Sequence, residues 1–387
     1  MSFRGRRSLV WATLWVTLFG PGAANAASTV LLRAGDASLA VDAATSVWVL
    51  SAGGAALTLR ADASTDFAVT GLSTSSAKPW VSAPAADTVA TVNGTAIEFG
   101  RIADGFVFVG VDSSMSGSTL RLDVAYDLPA SSLRLTRHYA VAAGVPAFEV
   151  WTSFDPLAPR APAIASLNAL RVTVPTGTVR YVNGLQGDSA DVVRDNAFSL
   201  SSRTVNNGEH VTYGATGRSS ETTVPWIAVD GASDEFYCAL LWSGAWSLAL
   251  DRRDSALTIS MGLASMVTTP GLDRIDSPHA VFGVVRGALP QATAAARTCV
   301  SQSLRGGRPL SPLVTYNTWF AYGVAVDEAS MKAEIDRVAA LGAELFVLDA
   351  GWYTNAGRSG TWDFTSGLGS WQVDRARFPS GLGALAD

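Results

Sequence analysis

The 387-residue sequence predicts a β + α/β protein: a large antiparallel β-sandwich followed by the first strands of a truncated (β/α)8 barrel. Three observations predict it. Residues 28–287 carry many short runs rich in Val, Leu, Thr and aromatics, separated by Gly, Asp, Asn and Ser clusters, as in an all-β domain. Residues 313–349 instead read strand, helix, strand, the order of a parallel crossover unit. A complete barrel of that kind takes about 250 residues, and 313–387 holds only its beginning.

The first element is a signal peptide over residues 1–26. Arg4, Arg6 and Arg7 form a positive start, residues 9–19 an apolar run, and Gly20-Pro21 breaks it. Ala24-Asn25-Ala26 supplies the small-x-small cleavage pattern, so cleavage is expected after Ala26. The apolar run falls short of the ~20 residues that span a bilayer. The expected location is secreted or periplasmic, with no membrane partner. Charged residues make up 16% of the chain and the net charge is −5, with Lys78 and Lys332 the only lysines and the arginines scattered. That distribution argues against nucleic acid as a partner.

In the sandwich, expected over 27–287, the clearest strand candidates are 47–50, 106–111, 120–126, 133–141 and 148–153. Leu120, Leu122, Val124 and Tyr126 alternate with Arg121, Asp123 and Ala125, and Leu133, Leu135, Arg137 and Tyr139 repeat the pattern after a turn at 129–132. Period-2 alternation marks half-buried strands, and their closeness in sequence predicts an antiparallel meander. Further strands are expected at 225–229, 235–243, 247–251 and 280–286. Two packed sheets accommodate so many strands best. His138, His210 and His279 stand apart, without metal-ligand spacing, so no metal or other cofactor is expected. Export permits a Cys238–Cys299 disulfide, and two cysteines leave the pairing open.

A helical linker is expected over 288–312. Residues 291–304 place Ala295, Thr298, Cys299 and Gln302 at helical spacing, Gly306-Gly307 end the helix, and Pro309 and Pro312 frame the exit. In 313–387, strands are expected at 313–317 and 344–349. Between them Asp327 is an N-cap, Met331, Ile335, Val338 and Leu341 form one apolar face, and Gly342 is the stop. A further helix should begin near Leu382.

Active sites of such barrels lie at the C-terminal ends of the strands. That rule selects Asn317-Thr318-Trp319 and Asp349-Ala350-Gly351-Trp352-Tyr353, with Trp362, Asp363, Trp371 and Asp374 in the loop beyond. Indoles can cover the apolar face of a pyranose while carboxylates and amides take its hydroxyls. Asp349, Trp319 and Trp352 are therefore the candidate substrate-binding residues. Asp349 could alternatively cap its own loop, and Trp371 and Asp374 could be structural.

Here the sequence resembles glycoside hydrolase family 36, the α-galactosidases or melibiases. The matching pieces are Tyr316-Asn317-Thr318-Trp319-Phe320-Ala321-Tyr322, Leu345-Phe346-Val347-Leu348-Asp349-Ala350-Gly351-Trp352, and Trp371-Gln372-Val373-Asp374 running into Phe378-Pro379-Ser380-Gly381-Leu382. Trp242-Ser243-Gly244 resembles a turn of that family's sandwich. The resemblance implies an α-linked oligosaccharide or glycoside as substrate and a retaining mechanism, with both catalytic carboxylates on later strands. No catalytic residue is therefore expected before Asp387, and the chain alone is expected to be inactive. The whole protein could be a homo-oligomer. Asp349 matches the first residue of the family's Asp-Asp-Gly-Trp motif, but Ala350 replaces the second. The alternatives are therefore an α-N-acetylgalactosaminidase, another α-glycosidase or transglycosidase, or a non-catalytic carbohydrate-binding sandwich.

Overall fold

The computed structural model describes residues 28–75, 78–159, 162–185, 196–263, 265, 274–354, 369 and 371–386. The signal region 1–26 lies outside them, as do Trp362 and Asp363. The chain divides into two compact units, Met1–Gly307 and Arg308–Asp387.

In the first unit the described strands form three antiparallel sheets, of five, ten and six strands. The five-stranded sheet is an up-and-down run from Thr29–Ala34 to Ala68–Thr74. The ten-stranded sheet contains the expected meander in sequence order, Val107–Ser116, Thr119–Leu128, Leu133–Ala142 and Phe148–Pro156, and continues through His279–Arg286 and Asp234–Leu241. The six-stranded sheet is built around Ile164–Pro175, Ala256–Leu263 and Trp246–Arg253. At the predicted turn, Pro129–Ser131 form a single 3-10 turn and Ser132 reverses the chain at φ 48°.

The alternation of apolar residues sets which face is buried. Leu120, Leu122, Val124 and Tyr126 lie in one main core with Leu133, Leu135, Tyr139, Phe148, Leu170, Phe236, Leu248 and Ile259. Arg137 follows the same inward pattern and is fully buried. Its guanidinium donates to Asp87 (Nη2–Oδ2 2.8 Å), Thr152 Oγ1 (3.1 Å) and the Ala169 carbonyl (2.8 Å). Arg137 thus joins its own strand and that of Thr152 in the ten-stranded sheet to the Ile164–Pro175 strand of the six-stranded sheet, with Asp87 neutralising its charge. Burial alone would favour loss of the Arg137 charge, but the Asp87 carboxylate outweighs it and raises the pKa.

The histidines are not isolated, as their sequence positions suggested: each has a carboxylate partner at 2.6 Å, His138 with Asp123, His210 with Asp251 and His279 with Glu149. Cross-strand pairing creates these contacts. His138 and His279 also stack on Trp151 from the two adjoining strands, at 4.7 and 4.4 Å between ring centroids. From Asp123 hydrogen bonds continue through His138 and Ser153 to Asp276.

Burial raises the Asp123 pKa, but hydrogen bonds and charges from His138 and Arg121 overcome it and hold the carboxyl below its ordinary value. Asp276 is lowered in the same way, chiefly by Ser153 and Arg274 acting against burial. Stabilisation of this sign is complete above the unfolded-state value of about 3.9 and is lost as pH falls through the folded value. The stability difference between wild type and Asp123→Asn should therefore shrink on acidification below about pH 4. Urea midpoints of the sandwich transition, measured from pH 7 to pH 3, check this.

The helix Leu289–Cys299, extended by a wider turn over Val300–Leu304, buries Ala292, Ala295 and Cys299 against Tyr237, Ala228, Val281 and Val285. It therefore belongs to the first unit, and the expected linker 288–312 is divided at Gly307/Arg308. The cysteines form no disulfide. Cys238 points into the main core while Cys299 lies in the layer under the helix, so the ten-stranded sheet separates them. Burial pushes the Cys238 thiol pKa up.

In the second unit, Thr315–Asn317 and Leu345–Val347 pair in parallel, with Tyr316 opposite Phe346 and Asn317 opposite Val347. The helix Glu328–Ala340 connects them, and the Asp327 carboxylate caps it by accepting from the Ser330 N–H at 2.9 Å. Met331 and Val338 are buried as expected, but Leu341 is 85% exposed. The reason is local: the helix ends at Ala340 and Gly342 turns the chain at φ 89°. The helix expected near Leu382 is a short 3-10 turn, Leu382–Leu385. Among the described residues no helix is long and apolar enough to cross a membrane, and no group of three His, Cys, Asp or Glu side chains could hold a metal ion.

Candidate functional site

The parallel register brings the ends of the two strands together, and hydrogen bonds then fix the corner. Thr318 is fully buried. Its N–H donates to the Val347 carbonyl at 3.1 Å, and its hydroxyl accepts from the Asp349 N–H at 3.1 Å. Asn317 is oriented at both ends of its amide: Oδ1 accepts from the Trp319 N–H at 2.8 Å, and Nδ2 donates to Asp349 Oδ2 at 2.8 Å. The other Asp349 oxygen accepts from the Ala350 N–H, also at 2.8 Å.

Asp349 therefore caps its own loop and faces the first strand at once. A carboxylate has about four acceptor sites, so these two bonds leave capacity for hydroxyls of a ligand. Trp319 is 37% exposed at the start of the short helix Trp319–Tyr322. Trp352 is half-buried three residues beyond Asp349. Its ring stacks on Trp371 (6.0 Å, 24°), and the buried Tyr353 meets both indoles edge-on.

The segment after 371 is pinned back onto the Trp352 loop. The Asp374 N–H donates to the Trp352 carbonyl at 2.9 Å and the Thr354 N–H to the Gln372 carbonyl at 2.7 Å. Trp371 is held at φ 49° with its side chain exposed. Asp374 is a turn residue: its carboxylate accepts from the Ala376 N–H, and its carbonyl from the Phe378 N–H. The structure thus groups Asp349 with Trp319 at one corner and Trp352 with Trp371 at the next.

Sequence reasoning gave no role to three supports. Thr318 is the buried hydroxyl of the corner. Arg377 donates to the carbonyls of Val324 (2.8 Å) and Gly351 (2.6 Å), fixing the loop after Asp349. Gly351 fits there because it takes φ 108° and a Cβ would come within 2.7 Å of the Val324 oxygen. Glu334, on the long helix, accepts from the hydroxyls of Tyr316 and Tyr322. That bond to the carboxylate pushes the Tyr316 pKa up to about 12, and the two phenols in turn lower the Glu334 pKa.

Comparison with known proteins locates this corner in a family. Residues 300–387 match melibiase. The α-galactosidase Mel36A of Lactobacillus acidophilus is 39% identical over 74 residues, 19% of this chain and 9% of that protein. The probable α-galactosidase G of Emericella nidulans is 27% identical over 310 residues, 72% of this chain and 40% of that protein. Among solved structures, the α-galactosidase AgaB of Geobacillus stearothermophilus superposes with a TM-score of 0.64 at 16% identity, over 90% of this chain and 54% of that one. The chain thus spans less than half the length of these two curated relatives and about half of the solved one. Residues 300–387 are similar to the melibiase family, and the chain carries the fold of about half of a solved glycoside hydrolase family 36 α-galactosidase.

Proposed function

We propose that this chain is the N-terminal part of an exported, retaining α-galactosidase and that its second unit supplies one wall of the galactoside pocket. The observation that carries the reading is the Asn317–Asp349 bond across the ends of two parallel strands, inside the segment that matches melibiase. Asp349, held by Asn317 and Ala350, presents its remaining acceptor sites to sugar hydroxyls. Trp319 and Trp352 wall the same region. AgaA variants of G. stearothermophilus, which share this fold, have been solved in complex with raffinose and stachyose, which supports α-galactosides as the substrate class here.

Retention requires two carboxyl groups ~5–5.5 Å apart, one attacking the anomeric carbon and one protonating the leaving oxygen. The family resemblance puts both on later barrel strands, so neither role is assigned to an Asp of this chain. Export rests on the residue pattern of 1–26.

A second specificity has one observation in its favour. Ala350 is small and buried where the family motif has a second carboxylate, and each charge-assisted hydrogen bond lost is worth about 1.5–3 kcal/mol. The test is turnover of nitrophenyl α-galactoside and of its 2-acetamido analogue by the exported product of the complete reading frame, with the product anomer read by NMR. Cleavage of the first substrate with the α-anomer released first supports the proposal. Activity confined to the 2-acetamido substrate would replace galactose as the sugar, and a β-anomer would reject retention.

A further inference from the structure

We propose that Glu334, remote in sequence from both strand ends, is a positioning residue of the sugar pocket, bracing through Tyr316 and Tyr322 the corner that carries Asn317 and Trp319. The proposal rests on the α-galactosidase reading for its effect on substrate, and on geometry alone for the brace. The Tyr316 hydroxyl donates to Glu334 Oε1 at 2.7 Å and the Tyr322 hydroxyl to Oε2 at 2.8 Å. Arg337, one turn along the helix, donates to Oε2 at 3.3 Å and holds the carboxylate in place.

The two tyrosines bracket the functional corner. Tyr316 immediately precedes Asn317, and alternation along a strand sends their side chains to opposite faces. Its ring stacks on Phe346 of the neighbouring strand, 5.5 Å between centroids. Tyr322 closes the four-residue helix that begins at Trp319. So short a helix has no independent stability. Thr318 gives its N-terminus no side-chain cap, its first N–H is held by Asn317, and Gly323 ends it at φ 52°. One carboxylate therefore ties both ends of segment 316–322 to the Glu328–Ala340 helix. Asn317 can hold Asp349 and Trp319 in a constant relation only while that segment keeps its shape. The lowered pKa of Glu334 agrees with this, because both phenols donate to its charged form.

The test uses the product of the complete reading frame and nitrophenyl α-galactoside. For Glu334→Ala, KM should rise about tenfold while kcat changes less than about threefold, the mark of lost positioning for binding. Glu334→Gln keeps an acceptor for one hydroxyl and an N–H donor for the other, and should stay within about threefold of wild type in KM. Hydrogen exchange of residues 316–323 should quicken in Glu334→Ala while exchange within 331–340 is unchanged.

A purely structural role would lower kcat with the folded fraction and leave KM alone, and that result overturns the proposal. Unchanged exchange at 316–323 also overturns it. A wild-type protein without turnover on either sugar defeats the α-galactosidase reading instead, and the exchange comparison then decides the brace alone.

Discussion

Asp87→Ala should destabilise the sandwich by about 3–5 kcal/mol, the cost of leaving one member of a buried ion pair without its partner. Arg137 is fully buried and Asp87 nearly so, and the guanidinium keeps its charge at any usable pH. Without Asp87, the bonds to Thr152 and Ala169 remain, but nothing neutralises the charge between the sheets. Asp87→Asn preserves shape and one acceptor, so its loss should be smaller than for alanine yet still clear. The paired change Arg137→Met with Asp87→Leu should recover most of the stability, because apolar replacement of a whole buried pair is often neutral or better. Denaturant midpoints of the sandwich transition for all four proteins check this. If Asp87→Ala is no less stable than the paired variant, Asp87 is not what stabilises the buried Arg137 charge.

Arg137 also shows how far the sequence can be read. Its place in an alternating strand was visible, and so was the inward direction of Leu133, Leu135 and Tyr139. Its partner was not, since Asp87 lies 50 residues away on a segment with no periodic signal. The same limit hid the histidine pairs, whose partners are 15, 41 and 130 residues distant. Strands with clean alternation were legible. Ile164–Pro175 was not, because a register shift between Asn168 and Leu170 breaks the period at its centre. The early strands Ala37–Asp42 and Ala55–Arg60 are short and rich in alanine, a residue depleted in strands. Nor does residue order reveal that the strands divide into three sheets.

The candidate site was legible for a different reason. A parallel strand delivers its loop to one end of the sheet, so connectivity pointed to the loops that hold Asp349, Trp319 and Trp352, and the family resemblance singled out Asp349 among them. What connectivity cannot show is how each is held. Thr318, Arg377 and Glu334 act through backbone carbonyls, amides and phenols that become neighbours only after the helix has packed. The exposed end of that helix makes the same point: Leu341 fits the apolar face by spacing, and it falls outside because the last turn closes one residue earlier.

On the proposed reading, Asp349→Ala in the product of the complete reading frame should lower kcat/KM on an α-galactoside by roughly 10²–10⁴, from two charge-assisted hydrogen bonds worth about 1.5–3 kcal/mol each. Two acceptor positions of Asp349 are spent within the protein, on Asn317 and on the Ala350 N–H. Those bonds fix the direction of the others and add nothing to sugar affinity themselves. Alanine removes both functions, so Asn317 loses its restraint and the loop its cap. Asp349→Asn separates them. Its amide oxygen can still accept from Asn317, but its NH2 must then face the Ala350 N–H donor and cannot accept a sugar hydroxyl. The asparagine variant should therefore lose nearly as much activity as alanine while its unfolding midpoint shifts less. Steady-state kinetics on nitrophenyl α-galactoside, with a denaturation curve for each variant, makes the distinction. Wild-type kcat/KM in Asp349→Asn would leave Asp349 only the role of a loop cap, and recognition of the sugar would then have to lie with Trp319, Trp352 and groups elsewhere in the pocket.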